Sequence, residues 1–184
     1  RISGQRRVGH AGTLDPVAEG VLLVCVGQAT RLVEYLAAAH KSYRATIRFG
    51  VTTDTWDAQG RVVESHASDH LTLALIEAHL PAFRGEVWQQ PPMYSAIKRD
   101  GQPLYKRARR GERIEPPKRR VQVYALQVLR WESPDLVLDI ECSKGTYIRS
   151  IAHELGQAVG VGGHLAALTR TAIGRFTIEH AISL

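Results

Sequence analysis

The sequence predicts an α+β domain built on a mixed, largely antiparallel sheet flanked by helices. Three observations lead there. Segments of strand and helix character follow one another without the regular alternation that builds a parallel, doubly wound sheet. Residues 43–49 alternate apolar and polar positions with period two, the pattern of a strand with one wet face. The chain has 184 residues, 44% hydrophobic and 23% charged, which is enough to bury one real core.

The elements follow in chain order. Residues 20–27 form a continuous apolar run bounded by Gly20 and Gly27, which predicts a buried strand. Thr30 is placed to cap a helix whose Leu32, Val33, Leu36 and Ala37 share one face. The alternating strand over 43–49 comes next, then a turn-rich connection over 53–60. A helix over about 71–80 stops at Pro81. Residues 87–92 lead through Gln89-Gln90-Pro91-Pro92 into a short strand over 94–98. Pro103, Gly111, Pro116 and Pro117 break the following stretch into loop and short helix. Two strands, 121–131 and 136–142, are joined by the turn Glu132-Ser133-Pro134-Asp135. The tight turn Ser143-Lys144-Gly145-Thr146 precedes a helix over 147–159, with Ile148, Ile151, Ala152 and Leu155 inward.

Composition excludes several classes. No apolar run approaches the ~20 residues of a membrane span, and no apolar segment backs the basic start of the chain as a secretory signal would. Cys25 and Cys142 sit in apolar stretches and are expected as buried, reduced thiols, which points to a cytoplasmic location. Trp56, Trp88 and Trp131 are expected in the core or at an interface. The net charge is +6, and residues 98–120 hold ten basic side chains against three acidic ones. That window alone carries +7, so the rest of the chain sums to −1. Tyr94, Tyr105 and Tyr124 lie in or beside it. Cations with interleaved rings suit a polyanion, RNA above all, although a solvated loop has the same composition.

Two segments carry candidate chemistry. In Gly9-His10-Ala11-Gly12-Thr13-Leu14-Asp15-Pro16 the glycines permit a tight turn, and Pro16 biases Asp15 toward an extended conformation. A carboxylate so presented is a nucleophile or base, or else an Asx-type turn residue. In Ser143-Lys144-Gly145-Thr146-Tyr147-Ile148-Arg149, the arginine falls in the first turn of a helix. It is placed either to hold Asp15 ionised and oriented by a two-pronged hydrogen bond or to be a solvent-exposed helix residue.

The first of these segments, continued by Gly20-Val21-Leu22 and Gly27-Gln28-Ala29-Thr30-Arg31, resembles the catalytic motif of TruB-type tRNA pseudouridine synthases. Lys41-Ser42-Tyr43 is similar to that family's conserved-tyrosine strand. Gln90-Pro91-Pro92-Met93-Tyr94-Ser95-Ala96-Ile97-Lys98, with Gly101, Leu104-Tyr105 and Ala108-Arg109, resembles its bacterial branch. Residues 142–149 resemble its second active-site motif. The matches run in family order over nearly the whole chain.

The resemblance implies a pseudouridine synthase fold over 1–184, with 98–120 as a basic, RNA-gripping insertion. It implies that Asp15 is catalytic, attacking the ribosyl-uracil system or abstracting a sugar proton. Tyr43 then stacks on a flipped uracil, Tyr147 and Leu168 line the pocket, and Arg149 pairs with Asp15. His10 fills the space that the base leaves, where a lone histidine otherwise reads as a turn-stabilising residue. Arg31, Lys98, Lys106, Arg107, Arg109 and Arg110 meet RNA backbone, Arg31 being equally suited to a solvated helix face. The implied partner is the T-arm stem-loop of tRNA, acted on at position 55 by a monomer without metal, cofactor or membrane. The family's opening strand, with its Lys-Pro turn, and a C-terminal RNA-binding module are expected to lie outside this sequence, leaving a sheet edge unpaired and the fragment unstable or weakly active. Two other readings stand beside this one: a guide-RNA-dependent synthase acting on ribosomal RNA, and a non-catalytic tRNA chaperone.

Overall fold

The computed structural model describes residues 4–95, 97–99, 101–108, 110, 112 and 116–183. Val8–His10 forms β1, Ala18–Gly20 forms β2 and Val24–Val26 forms β3, with β3 antiparallel to β1. The apolar run over 20–27 is therefore not one buried strand. Val21 and Cys25 point inward, while Leu22, Val24 and Val26 are exposed. The reason is that, among the described residues, β3 finds only the three-residue β1 as a partner, outside the main sheet. Thr30 does not cap a helix either. It lies within a 3₁₀ turn, Gly27–Leu32, and donates its hydroxyl to the Gly27 carbonyl; Val33–Ala38 then forms α1.

The expected alternating strand is present as Lys41–Phe49 (β4), with Ala45, Ile47 and Phe49 buried. Val51–Thr53 (β5) and Val62–Ser65 (β6) pair across the turn-rich connection. Leu73–His79 (α2) is capped by the Thr72 hydroxyl and passes at Pro81 into a 3₁₀ turn, Leu80–Phe83. Gly85–Gln89 is β7. No strand covers 94–95; the chain bends there, and Lys98–Arg99 (β8) pairs instead with Gln102–Pro103 (β9) before Leu104–Ala108 (α3). Arg119–Glu132 (β10) and Asp135–Cys142 (β11) are the two expected strands, and Ile148–Ala158 is α4. Gly163–Ile173 (β12) and Phe176–Thr177 (β13) had no clear sequence signal. Register shifts at 165/167 and 170/172 interrupt the period of two that would have marked β12.

The main sheet runs β13-β12-β4-β11-β10-β7, antiparallel throughout, with β2 joining β12 in parallel. It is thus mixed and largely antiparallel, as the sequence predicts. One face buries Ala45, Ile47, Leu138 and Ile140 beneath Ile148, Ile151, Ala152 and Leu155 of α4 and Ile76 of α2, in one core cluster. The other face carries exposed forks from Arg44 to Asp139 and from Arg48 to Asp135. Trp131 packs edge-on against Phe49, whereas Trp88, on the outermost strand, is 62% exposed and belongs to no core. Cys25 and Cys142 are buried free thiols. Among the described residues no helix is long and apolar enough to cross a membrane.

The contact of α4 with β12 depends on Gly156. A Cβ there would overlap the Gly162 carbonyl carbon and the Gly163 nitrogen, both backbone atoms. Gly156→Ala is expected to cost about 2–3 kcal/mol, typical of overpacking. That corresponds to a melting temperature lowered by about 4–12 °C. An unchanged Tm in calorimetry would contradict this packing.

Candidate active site

The core-facing row of β4 ends at Tyr43, beyond the cover of the helices, and a cavity of about 230 Å³ opens there. Asp15, Tyr43, Tyr147 and Leu168 line it, joined by Lys41, Lys144 and Arg170. These residues come from the loop after β1, from β4, from the turn before α4 and from β12. Asp15 is the one acidic side chain among the described residues of the lining.

The Asp15 loop is pinned at both ends by Arg170, whose side chain is almost wholly buried. Its Nε donates to the Val21 carbonyl at 2.8 Å and its Nη2 to the Gly12 carbonyl at 3.1 Å. In return the Val21 N–H donates to the Arg170 carbonyl at 2.9 Å. Gly20, at φ +99°, lets the loop close on that carbonyl; a Cβ would overlap it.

Arg149, 4% exposed, reaches Asp15 from the first turn of α4. Nε donates to Oδ2 at 2.9 Å and Nη2 to Oδ1 at 3.0 Å, the two-pronged geometry that fixes a carboxylate plane. The remaining donors are also engaged. Nη2 donates to the Tyr94 carbonyl at 3.0 Å and Nη1 to the Thr55 carbonyl at 3.3 Å, and Nη1 lies 3.5 Å from Oδ2 of the buried Asp57. Asp57 is itself held, its Oδ1 accepting from the Thr55 hydroxyl and the Gln59 N–H. The Asp15 side chain remains 35% exposed, so the guanidinium is sealed while the carboxylate meets the open cavity.

Tyr147 immediately precedes α4 at its N-cap position, and Gln89 locks it from the end of β7. The Gln89 amide accepts from the Tyr147 N–H at 2.7 Å and donates to its carbonyl at 2.9 Å. The Ser150 hydroxyl ties the same helix turn to the Gln90 carbonyl. Burial pushes the Tyr43 phenol up to about 12 and raises that of Tyr147, so both rings are neutral near pH 7. Burial also lowers the Lys41 ammonium, with Arg170 acting in the same direction. Lys41 donates to the Ala37 and Ala39 carbonyls at 2.6 and 2.7 Å, closing the end of α1.

The structure thus gathers Asp15, Tyr43, Tyr147, Arg149 and Leu168. His10 is exposed on β1 and Arg31 exposed in the 3₁₀ turn, and neither lines the cavity. In the basic segment Lys106 and Arg110 are exposed, Arg107 pairs with Glu112 at 2.7 Å, and Arg110 reaches Gln102. Lys98 lies on β8, and Arg109 lies outside the described residues. Sequence reasoning did not single out Lys41, Asp57, Gln89 or Arg170. Asp57 sits in a polar turn and reads as an ordinary turn residue, which it also is; only the buried arginine beside it marks it out.

A family profile described as TruB family pseudouridylate synthase (N terminal domain) matches residues 1–148. The chain belongs to this family. Among its relatives, the tRNA pseudouridine synthase B of Francisella philomiragia is 48% identical over 180 residues, 97% of this chain and 60% of that protein. The protein of the same name from Thermobifida fusca is 50% identical over 192 residues, covering all of this chain and 66% of its own length. The chain therefore spans about 60% of the first of these relatives. In shape this TruB-family chain is similar to a chain from a Cbf5-Nop10-Gar1 complex, with a TM-score of 0.71 and 33% identity over 94% of this chain and 42% of that one. It is also similar to a chain from an H/ACA RNP bound to a substrate RNA containing 2′-deoxyuridine, with TM-score 0.67 and 29% identity, covering 94% and 40%.

The half-buried Tyr43 phenol has a consequence for stability. Its folded value of about 12 exceeds the ordinary 10, so the stabilisation is fully present below pH 10 and is lost as pH rises through 12. Urea titrations across that window are expected to show an alkaline loss of roughly 2–3 kcal/mol that Tyr43→Phe removes. An identical decline in the variant would contradict the burial of this hydroxyl.

Proposed function

We propose that the chain isomerises uridine to pseudouridine in tRNA, in the T-loop at position 55, with Asp15 as the catalytic carboxylate. The observation that carries this reading is the Asp15–Arg149 fork at the floor of a cavity otherwise lined by rings, an apolar wall and cations. The family assignment and the names of its relatives support this reaction class and a tRNA substrate.

In the reaction the C1′–N1 bond breaks, uracil turns, and a C1′–C5 bond forms. The C5 hydrogen leaves as a proton and N1 gains one; nothing is oxidised or reduced, and no cofactor or metal takes part. Asp15 either attacks C1′ or takes a proton from the sugar, and Arg149 aims it in both cases. A stacked uridine must first be everted at a cost of a few kcal/mol. Stacking on Tyr43, worth about 1–3 kcal/mol, offsets much of that, and the neutral phenol adds no charge beside the base. Leu168 and Tyr147 close the pocket, and His10, exposed on the strand leading into the Asp15 loop, fills the gap in the RNA. Arg31 and the basic segment, through Lys98, Lys106, Arg107, Arg109 and Arg110, take phosphates. The protein acts as a monomer in the cytoplasm. Identity of 48–50% to proteins named tRNA pseudouridine synthase B, against 33% to the Cbf5 complex chain, favours tRNA over a guided ribosomal target.

Incubation with a T-arm stem-loop tritiated at uracil C5 is expected to release tritium without a guide RNA. Asp15→Asn should cut that release by about three orders of magnitude or more while the RNA still binds. Full turnover by the variant would refute the role of Asp15.

Affinity for the stem-loop should fall with salt at a log-log slope of roughly −0.7 to −0.9 per phosphate neutralised. Charge reversal at Lys106, Arg107 and Arg110 should make the slope shallower. An unchanged slope would return this segment to a solvated loop.

A further inference from the structure

The connection between β5 and β6 holds a feature that the proposed chemistry does not use. Trp56 has φ +62°, and it is the one non-glycine residue with positive φ among those described. A bulky residue in that region is strained, and persists only where its surroundings over-determine it. Here they do. The Trp56 N–H donates to the Thr53 carbonyl at 3.2 Å, and its carbonyl accepts from the Leu165 N–H at 3.0 Å. Its indole lies flat on the His153 imidazole, with centroids 4.3 Å apart and planes 4° from parallel.

The neighbours of Trp56 face Arg149. The Thr55 carbonyl accepts from Nη1 on one side, and Asp57 Oδ2 lies 3.5 Å from the same nitrogen on the other. Arg149 and His153 stand four residues apart on α4, and so share a face one turn apart. Residues 55–57 therefore run along the helix that bears Arg149, with the ring of the middle residue seated on His153. Among the described residues the buried Nδ1 of His153 has no hydrogen-bond partner, and burial lowers its ring toward the neutral form. Through that nitrogen the imidazole holds nothing. It serves by its face.

We propose that Trp56 and His153 are positioning residues: their stack clamps residues 55–57 to α4, so that the Thr55 carbonyl and the Asp57 carboxylate hold Nη1 of Arg149 and keep its fork square on Asp15. The kinetic part of this inference rests on the proposed isomerase activity; the orientation of Arg149 does not.

The test compares Trp56→Gly, Trp56→Phe, His153→Ala and His153→Phe in the full chain. Glycine accepts the positive φ freely, so Trp56→Gly removes the ring without straining the backbone. Trp56→Gly and His153→Ala are expected to slow single-turnover isomerisation about 10- to 100-fold, as a small misalignment does, with RNA affinity unchanged. The double variant should be no slower than the slower single, since both remove one contact. The phenylalanine variants, which keep a stacked ring, should stay within about threefold of the parent. Exchange of the Arg149 Nε–H with solvent, followed by NMR, should be faster in the ring-deleted variants and unchanged in the phenylalanine ones.

Parental rate and parental exchange in Trp56→Gly would overturn the proposal, as would failure of both phenylalanine variants to restore the rate. If Trp56→Gly does not fold, the His153→Ala and His153→Phe pair decides by the same two readouts. If the parent chain does not isomerise the stem-loop, the functional reading fails, and the exchange of Arg149 alone decides the clamp.

Discussion

A guanidinium at 4% exposure organises this molecule. A buried cation is tolerated only when it is paired and its donors are met. Arg149 meets that demand with Asp15, Asp57 and the carbonyls of Thr55 and Tyr94. Its partners come from the loop after β1, the β5–β6 connection and the segment after β7, none near it in sequence. Leaving out a carboxylate weakens the pairing of a buried charge and leaving out a carbonyl strands a buried donor, so the segments of the site are drawn together by electrostatics as much as by the core. The carboxylate that emerges into the cavity is the exposed end of this network.

The sheet supplies the frame. On β4, residues 43, 45, 47 and 49 share a face, and β12 sets Leu168 opposite Ala45 and Arg170 opposite Tyr43. Where α4 covers that face it is core; where cover ends it becomes cavity wall. Arg170 does for the Asp15 loop what Arg149 does for its side chain, fastening the Gly12 and Val21 carbonyls from beneath. Two buried arginines thus fix the ends of the loop that carries Asp15 and the carboxylate itself.

Much of this was legible in the sequence, and the limits are physical. β4 and α4 stood out because each buries one face and keeps its period, and β10 and β11 because two long apolar-rich runs flank the turn Glu132-Ser133-Pro134-Asp135. The run over 20–27 misled because hydrophobicity alone does not say whether a strand finds partners; among the described residues β3 has only β1. β12 was obscured by its two register shifts, and the short strand expected near Tyr94 gave way to a bend that lends a carbonyl to Arg149. Among site residues, Asp15 and Arg149 could be singled out by motif, but their meeting is a tertiary fact across 134 positions of chain. Asp57, Gln89 and Arg170 carried no local signal. Their importance lies in partners brought near only by folding.

The proposed reaction asks that a pyrimidine leave the RNA stack and enter this cavity with its C1′ turned toward Asp15. The most direct measurement is a crystal structure of the chain with a T-arm stem-loop carrying 5-fluorouridine at the target position, where fluorine replaces the hydrogen that must depart. The account predicts the everted ring against Tyr43 and Leu168, with C1′ or C2′ within about 3.5 Å of the Asp15 carboxylate. A pyrimidine still stacked in the RNA, or a bound one with its sugar turned away from Asp15, would contradict it.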